Sequence, residues 1–255
     1  MRRAILFLFI MLAGFAAPPR VEAARLTVSA AISLKEVFRK IVKEFESRHP
    51  ELRVSLNLGS SGHLQRQIEL GAPVDVFAPA ALFPMEALER ANLLRPGTRK
   101  VFATNRLSLV RPRGSGAVDG FSVLGRGFQG RLVIGNPRHV PAGIYAKQAL
   151  VALGYWKKLS ARLIFAEHVR QVLDYVVRGE VGAGIVYRTD ALREKGRVDL
   201  VAEAPPGSHA RITYPIAVIA ESRYPRGAMR FLKFVLGEAS RAVLSRAGFG
   251  PADSP

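Results

Sequence analysis

One stretch decides how this chain folds: Asn136-Pro137-Arg138-His139-Val140-Pro141-Ala142-Gly143-Ile144-Tyr145, which joins an apolar strand at 131–134 to a helix ending near residue 153. Proline suits the first turn of a helix. The first N–H groups of a helix have no intrahelical partner and carry the positive end of the helix dipole, so an exposed helix start favours an anion. Taken alone, however, such a stretch is more often an ordinary strand-to-helix turn.

The order of strand and helix recurs along the whole chain. Strands are predicted at 25–30, 52–58, 72–78, 101–111, 131–134, 163–166, 181–186, 198–201 and 212–220. Helices are predicted to begin at Ser33, where Glu36 completes a capping box, and near Ser61. The alternation predicts an α/β fold with mostly parallel sheets, in which ligands bind beyond the carboxyl ends of the strands. Ser33 and Ser61 would lie there, either as helix caps or as ligand donors.

Two sheets are predicted. Residues 105–212 repeat the alternating pattern, whereas 213–255 have no sheet of their own and return to the first. We therefore expect one discontinuous domain of residues 24–104 and 213–255 and a second of residues 105–212. The two crossings would form a hinge that closes on a ligand in the cleft.

The N-terminus has the order of a secretory signal, with a basic start, an apolar run and small residues ending at Ala23. Residues 1–23 are therefore expected to be removed. The chain has no cysteine, which excludes disulfides, thiolate metal sites and a lipid on an N-terminal cysteine. The net charge of +18 would become +16, with 35 basic and 19 acidic residues. These basic residues are scattered, so we expect no nucleic-acid partner.

Four motifs resemble the periplasmic molybdate-binding proteins of ABC transporters. They are Ala30-Ala31-Ile32-Ser33-Leu34, the stretch from Gln67 to Phe77, the stretch from Gly135 to Ala146, and Gly184-Ile185-Val186-Tyr187-Arg188-Thr189-Asp190-Ala191. The resemblance covers essentially the whole mature chain. It implies a two-domain periplasmic-binding-protein fold, each domain a mostly parallel sheet flanked by helices, with the ligand in the interdomain cleft. It also implies high-affinity binding of molybdate, and of tungstate, for delivery to an ABC permease in the inner membrane.

The resemblance further implies which groups hold the oxyanion. These are the hydroxyl and backbone N–H groups of Ser33 and Ser61, the backbone N–H groups of Ala142 and Val169, and the hydroxyl of Tyr187. No residue is expected to bind a metal cation directly, because the metal arrives as molybdate, and no cofactor is expected. The protein is expected to be a soluble periplasmic monomer without a lipid anchor.

Several alternatives stay open. A fully ionised oxyanion only accepts hydrogen bonds, so a site made of donors disfavours hydrogen phosphate, but sulfate must be rejected by size. A sulfate carrier or a tungstate-specific carrier is therefore the first alternative, and a secreted serine hydrolase is a weaker one, since the histidines show no spacing typical of a triad or a metal site. Two positions depart from the resemblance: His63, which is expected to face solvent, and His168.

Overall fold

The computed structural model describes residues 24–116 and 118–252. The predicted signal segment lies outside these residues. Within them the strands are β1 Ala24–Ala31, β2 Leu52–Gly59, β3 Val76–Ala78, β4 Lys100–Asn105, β5 Leu107–Pro112, β6 Leu132–Gly135, β7 Leu163–Ala166, β8 Ala183–Tyr187, β9 Val198–Glu203 and β10 Ile212–Val218. The helices are α1 Lys35–Arg48, α2 Ser61–Glu69, α3 Leu82–Arg90, α4 Phe121–Gly125, α5 Pro141–Ala152, α6 Trp156–Leu159, α7 Val169–Val177, α8 Arg188–Arg193, α9 Pro225–Leu236 and α10 Glu238–Arg246.

The strands form two five-stranded sheets, in the orders β2-β1-β3-β10-β4 and β7-β6-β8-β5-β9. In each sheet a single strand runs against the other four, β10 in the first and β5 in the second. Both are the strands by which the chain enters a sheet after a crossing. The fold-class prediction of two mostly parallel sheets flanked by helices is confirmed.

The chain crosses between the sheets at two neighbouring points. It leaves β4 at Asn105 and begins β5 at Leu107, and it returns through residues 204–211 to β10. Asn105 and Ile212 are paired in the ladder between β4 and β10, so the crossings lie side by side. We propose domain boundaries that follow these crossings, residues 24–104 with 213–255 and residues 105–212.

The helices pack on the sheets through apolar faces. On α1 the buried positions include Phe38 and Phe45, which recur at helical spacing. Phe45 meets Phe231 of α9 edge to face, with ring centroids 5.2 Å apart. This contact fixes the C-terminal helices on the first sheet, where the sequence places them.

Three local expectations differ from the structure. The single strand expected over 101–111 is two strands in different sheets, broken at Arg106, whose N–H donates to the Asn105 side chain. The strand expected from residue 72 begins only at Val76, because the segment before it is tied by Asp75, whose carboxylate accepts from the Thr27 N–H at 2.7 Å and from Ser222 Oγ at 2.6 Å.

The third difference concerns Ser33, which is not the cap of α1. A 3-10 turn at Ile32–Leu34 precedes α1, so Ser33 lies inside the first turn and the capping residue is Leu34, without a side-chain hydrogen bond. The predicted capping box with Glu36 is wrong for this reason. The Ser33 hydroxyl is left to a different partner.

Candidate functional site

All five residues expected to contact the ligand line one small cavity between the two sheets. It is a small space, with a cavity volume of about 10 Å³, close to the volume that one water molecule needs. The residues around it are Ala31, Ile32, Ser33, Gly59, Ser60, Ser61, Ala80, Val140, Pro141, Ala142, His168, Val169 and Tyr187. They come from the carboxyl ends of strands and the starts of helices in both sheets, as expected for a ligand site in such folds.

The hydroxyl of Ser33 is oriented by a chain of hydrogen bonds. Asn105 Nδ2 lies 3.2 Å from the hydroxyl of Tyr214, which lies 3.2 Å from Ser33 Oγ. An amide nitrogen only donates, so the Tyr214 oxygen accepts from Asn105 and its own proton is free for Ser33. Burial raises the pKa of Tyr214 far above its ordinary value, which keeps that proton in place. The proton of Ser33 is then left to point into the cavity.

Ser61 is arranged in the same way by a different partner. Its Oγ accepts a hydrogen bond from the backbone N–H of Ala80 at 3.0 Å, so its proton is also free to donate. Ser61 is the first residue of α2, and the capping position belongs to Ser60. The hydroxyl of Ser61 therefore does not cap its helix.

Tyr187 reaches the cavity from the second sheet. Its hydroxyl donates to the carbonyl of Ala80 at 3.4 Å, a long and hence weak bond. Burial, followed by the nearby Tyr214, raises the pKa of Tyr187 well above its ordinary value. The phenol is therefore a neutral donor whose proton can turn towards an anion.

Two helices of the second sheet begin at the cavity wall. Ala142 is the second residue of α5, after Pro141, and Val169 is the first residue of α7. Their N–H groups lie in the first turn, where no intrahelical acceptor exists. The start of α5 is packed so closely on β6 that a Cβ at Gly143 would lie 1.8 Å from the carbonyl oxygen of Gly135. Only glycine permits this approach, which brings the helix start to the end of the strand.

No Lys, Arg, Asp or Glu side chain lines the cavity among the described residues. His168 lies on its wall, but its Nδ1 accepts from the Gln171 N–H at 3.0 Å and caps α7. An anion in the cavity would thus face hydroxyls, N–H groups and helix dipoles instead of a counter-charge. Larger cavities elsewhere, such as the one lined by Phe102, Leu244 and Phe249, lack this set of donors.

Contacts across the cleft hold the two sheets together beside the cavity. The Gly62 N–H donates to the carbonyl of His139 at 3.1 Å, and the ring of His63 stacks on that of His139 with centroids 4.0 Å apart. Arg170 of α7 pairs with Glu36 of α1. These contacts describe a closed cleft.

Arg170 also lies 3.1 Å from the fully buried Asp190. Burial raises the pKa of Asp190 to about 6, although Arg170 opposes the shift. Arg170 thus makes two ion pairs. The pair with Glu36 spans the cleft and is partly exposed, whereas the pair with Asp190 is buried among the helices of the second sheet.

Comparison with known proteins fits this architecture. The family of bacterial extracellular solute-binding proteins matches residues 26–250. The chain belongs to this family. The molybdate-binding protein ModA of Escherichia coli is 38% identical over 232 residues, covering 88% of each chain. A putative ABC transporter substrate-binding lipoprotein of Bacillus subtilis is 35% identical over 88% of this chain and 85% of its own length.

Solved structures agree. The substrate-binding domain of a putative molybdenum ABC transporter from Clostridium difficile superposes with a TM-score of 0.71 at 33% identity, over 90% of this chain and all of that domain. The resemblance predicted from the sequence motifs is therefore confirmed. As a solute-binding protein, the chain belongs to a family of binding proteins and not of enzymes.

The structure brings the five predicted positions of this solute-binding protein together, while their role in binding stays a prediction. Sequence reasoning missed Tyr214, Asn105 and Ala80, which orient the hydroxyls of Ser33, Ser61 and Tyr187. The only signal for them was indirect, since Asn105 lies at the predicted crossing. His63 is exposed, as expected, but its contact with His139 was not foreseen.

Proposed function

We propose that this protein binds molybdate in the cleft between its two sheets and delivers it to an ABC permease for import. The observation that carries the proposal is the convergence of five buried residues on one small cavity, namely Ser33, Ser61, Ala142, Val169 and Tyr187. The name of the Escherichia coli relative gives molybdate as its ligand, and the Clostridium difficile structure belongs to a putative molybdenum ABC transporter.

The chemistry of the cavity favours a fully ionised tetrahedral oxyanion. Each such oxygen only accepts hydrogen bonds. The hydroxyl oxygens of Ser33 and Ser61 are already engaged, so their protons are free, and the Tyr187 proton makes only a long bond to the Ala80 carbonyl that an anion can replace. Hydrogen phosphate would bring a proton of its own into a ring of donors. Its binding would leave a buried donor unmatched, which costs about 1–3 kcal/mol.

Tungstate has the same charge and shape as molybdate, and we propose that it also binds. Sulfate is smaller, so its hydrogen bonds to donors on both walls would be longer. A sulfate carrier or a tungstate-specific carrier on this scaffold remains the alternative. The relative affinities of the protein for molybdate, tungstate and sulfate distinguish these alternatives directly.

The other alternative, a serine hydrolase, lacks support at the predicted serines. Ser33 is held by Tyr214 and Ser61 by the Ala80 N–H, so neither hydroxyl is paired with a histidine that would act as general base. We propose a binding protein without catalytic residues or a cofactor.

We propose that the protein acts as a periplasmic monomer after cleavage behind Ala23. Among residues 24–116 and 118–252, no helix has the length and apolar character to cross a membrane. Because the sequence contains no cysteine, the lipid anchor implied by the name of the Bacillus subtilis relative has no cysteine here to carry it. N-terminal sequencing of the exported protein tests the cleavage site, and a chain that still begins at Met1 would refute it.

Calorimetry with molybdate, tungstate, sulfate and phosphate tests the ligand. We expect one molybdate or tungstate per chain, much weaker sulfate binding and no phosphate binding. Sulfate binding as tight as molybdate binding, or no oxyanion binding at all, would overturn the proposal.

A further inference from the structure

A cluster of metal-binding side chains lies at the rim of the cleft, just outside the oxyanion cavity. It consists of His63 on α2, His139 before α5 and Glu167 before α7. One ligand atom of each residue lies within 4.8 Å of the others. The histidine spacing predicted no metal site, because these residues are far apart in the sequence and meet only when the two sheets close on each other.

The central residue of the cluster is held in place. His139 has a side chain only 17% exposed, and its Nδ1 lies 3.2 Å from the hydroxyl of Ser60. The hydroxyl can accept from a protonated Nδ1, and in this tautomer the lone pair of Nε2 faces outwards. A hydrogen bond to the ring nitrogen that does not bind the metal commonly orients a metal-binding histidine. Nε2 lies 3.5 Å from Glu167 Oε2, so a ring nitrogen and a carboxylate oxygen lie side by side at the rim.

The other two ligands can adjust. His63 is exposed and lies parallel to His139, with 12° between the ring planes, while the Glu167 side chain is 61% exposed. With bonds of about 2.1 Å, tetrahedral ligand atoms are about 3.4 Å apart. The stacked rings lie in parallel planes, so their lone pairs converge on one ion only when the exposed His63 ring rotates out of the stack and Glu167 changes rotamer.

The ligand set indicates the class of metal. Two imidazole nitrogens and one carboxylate oxygen suit Zn²⁺ and neighbouring divalent transition metals, with water as a further ligand. Mg²⁺ and Ca²⁺ prefer sites made of oxygen ligands alone. We propose that His63, His139 and Glu167 bind a divalent transition metal of the Zn²⁺ class, which bridges the two domains and stabilises the closed cleft.

The site is complete only when the cleft is closed, because His63 belongs to the first sheet's side and the other two ligands to the second's. The three ligands lie within a few residues of Ser61, Ala142 and Val169 on the same segments. Metal and oxyanion then both favour the closed form, so each should strengthen the binding of the other. This coupling rests on the proposed oxyanion function, whereas metal binding itself does not.

The test uses purified protein without a polyhistidine tag, freed of metal with a chelator. Titration with Co²⁺, followed by its visible absorption bands, should show one ion per chain that Zn²⁺ displaces. His63→Ala and Glu167→Gln should each weaken Co²⁺ binding at least tenfold, in line with the loss of one ligand of three. His49→Ala is the matched control, since His49 lies 3.8 Å from Glu51 outside the cluster; it should bind Co²⁺ like the unmodified protein.

No stoichiometric Co²⁺ binding, or equal binding by all variants, would overturn the proposal. The coupling is tested separately by the dissociation rate of molybdate. Saturating Zn²⁺ should slow it several-fold in the unmodified protein and not in His63→Ala, and an equal effect in both would refute the coupling. Metal binding without any oxyanion binding would refute the proposed function and leave the metal site standing; the reverse result would refute only the metal site.

Discussion

Gly62 offers the sharpest test of the closed cleft. A Cβ at this position would lie 2.6 Å from the carbonyl oxygen of His139 and 2.9 Å from its Cα, across the cleft. Gly62→Ala should therefore hinder closure while leaving each half of the molecule intact. Alanine is itself the better helix former by about 1 kcal/mol, so the open form of the variant should be at least as stable as that of the unmodified protein.

The size of the effect follows from two losses. The hydrogen bond from the Gly62 N–H to His139, 3.1 Å long, contributes about 0.5–1.5 kcal/mol net. Forcing a methyl group against backbone costs about 1–3 kcal/mol. Together these losses of about 1.5–4.5 kcal/mol predict a molybdate affinity lower by about tenfold to two-thousand-fold.

Calorimetry with molybdate measures this change, and thermal unfolding of the ligand-free protein checks the fold. Gly196→Ala is the matched control, because a Cβ there meets no atom within 4 Å. Molybdate affinity of Gly62→Ala equal to that of Gly196→Ala would show that the ligand-bound form does not contain the contact between α2 and His139, and the reasoning would fail.

Four further substitutions probe the donors, the partner that orients Ser33 and the buried acid. Ser33→Ala and Ser61→Ala should each weaken molybdate binding by about 1–3 kcal/mol in calorimetry with unchanged circular dichroism; unchanged affinity in both would show that neither hydroxyl contacts the ligand. Tyr214→Phe should weaken binding about two- to tenfold, since the Ser33 hydroxyl loses its orienting partner, and an unchanged affinity would contradict the relay. The pKa of Asp190, raised to about 6 from 3.8, means that the folded chain holds this proton more tightly than the unfolded one. Asp190 should therefore lower the free energy of unfolding by up to about 3 kcal/mol as pH rises from 4 to 6, and Asp190→Asn should remove this contribution in urea titrations; a pH dependence that the substitution leaves unchanged would refute the assignment.

The sequence was sufficient for the alternation of elements and for the return of the last segment to the first sheet. These depend on local patterns of apolar residues, which survive in the fold. The start of α1 was not predictable in the same way, because a serine followed by glutamate three residues later fits both a cap and an inner position of a longer first turn. The 3-10 turn at Ile32–Leu34 decides between them.

The sequence motifs predicted which residues form the site, but they did not predict how the side chains are oriented. The bond between Ser33 and Tyr214 joins residues 181 apart in the sequence, and the contact between Ser61 and Ala80 is made through a backbone N–H that carries no side-chain signal. For the same reason the sequence did not predict the cluster of His63, His139 and Glu167. Segments that are distant in the sequence come together only in the closed fold, and no pattern of residue spacing indicates that they do.

The position of β10 bears on the order in which the protein folds. This strand lies between β3 and β4, so the first sheet stays in two pieces until residues 212–218 are available. The second sheet, by contrast, is built from one continuous segment, β5 to β9. As the chain emerges from its N-terminus onwards, we expect the internal half to acquire its structure first and the flanking half to be completed around it, since contacts between distant segments form late. The binding cleft would then be the last part of the molecule to come into existence.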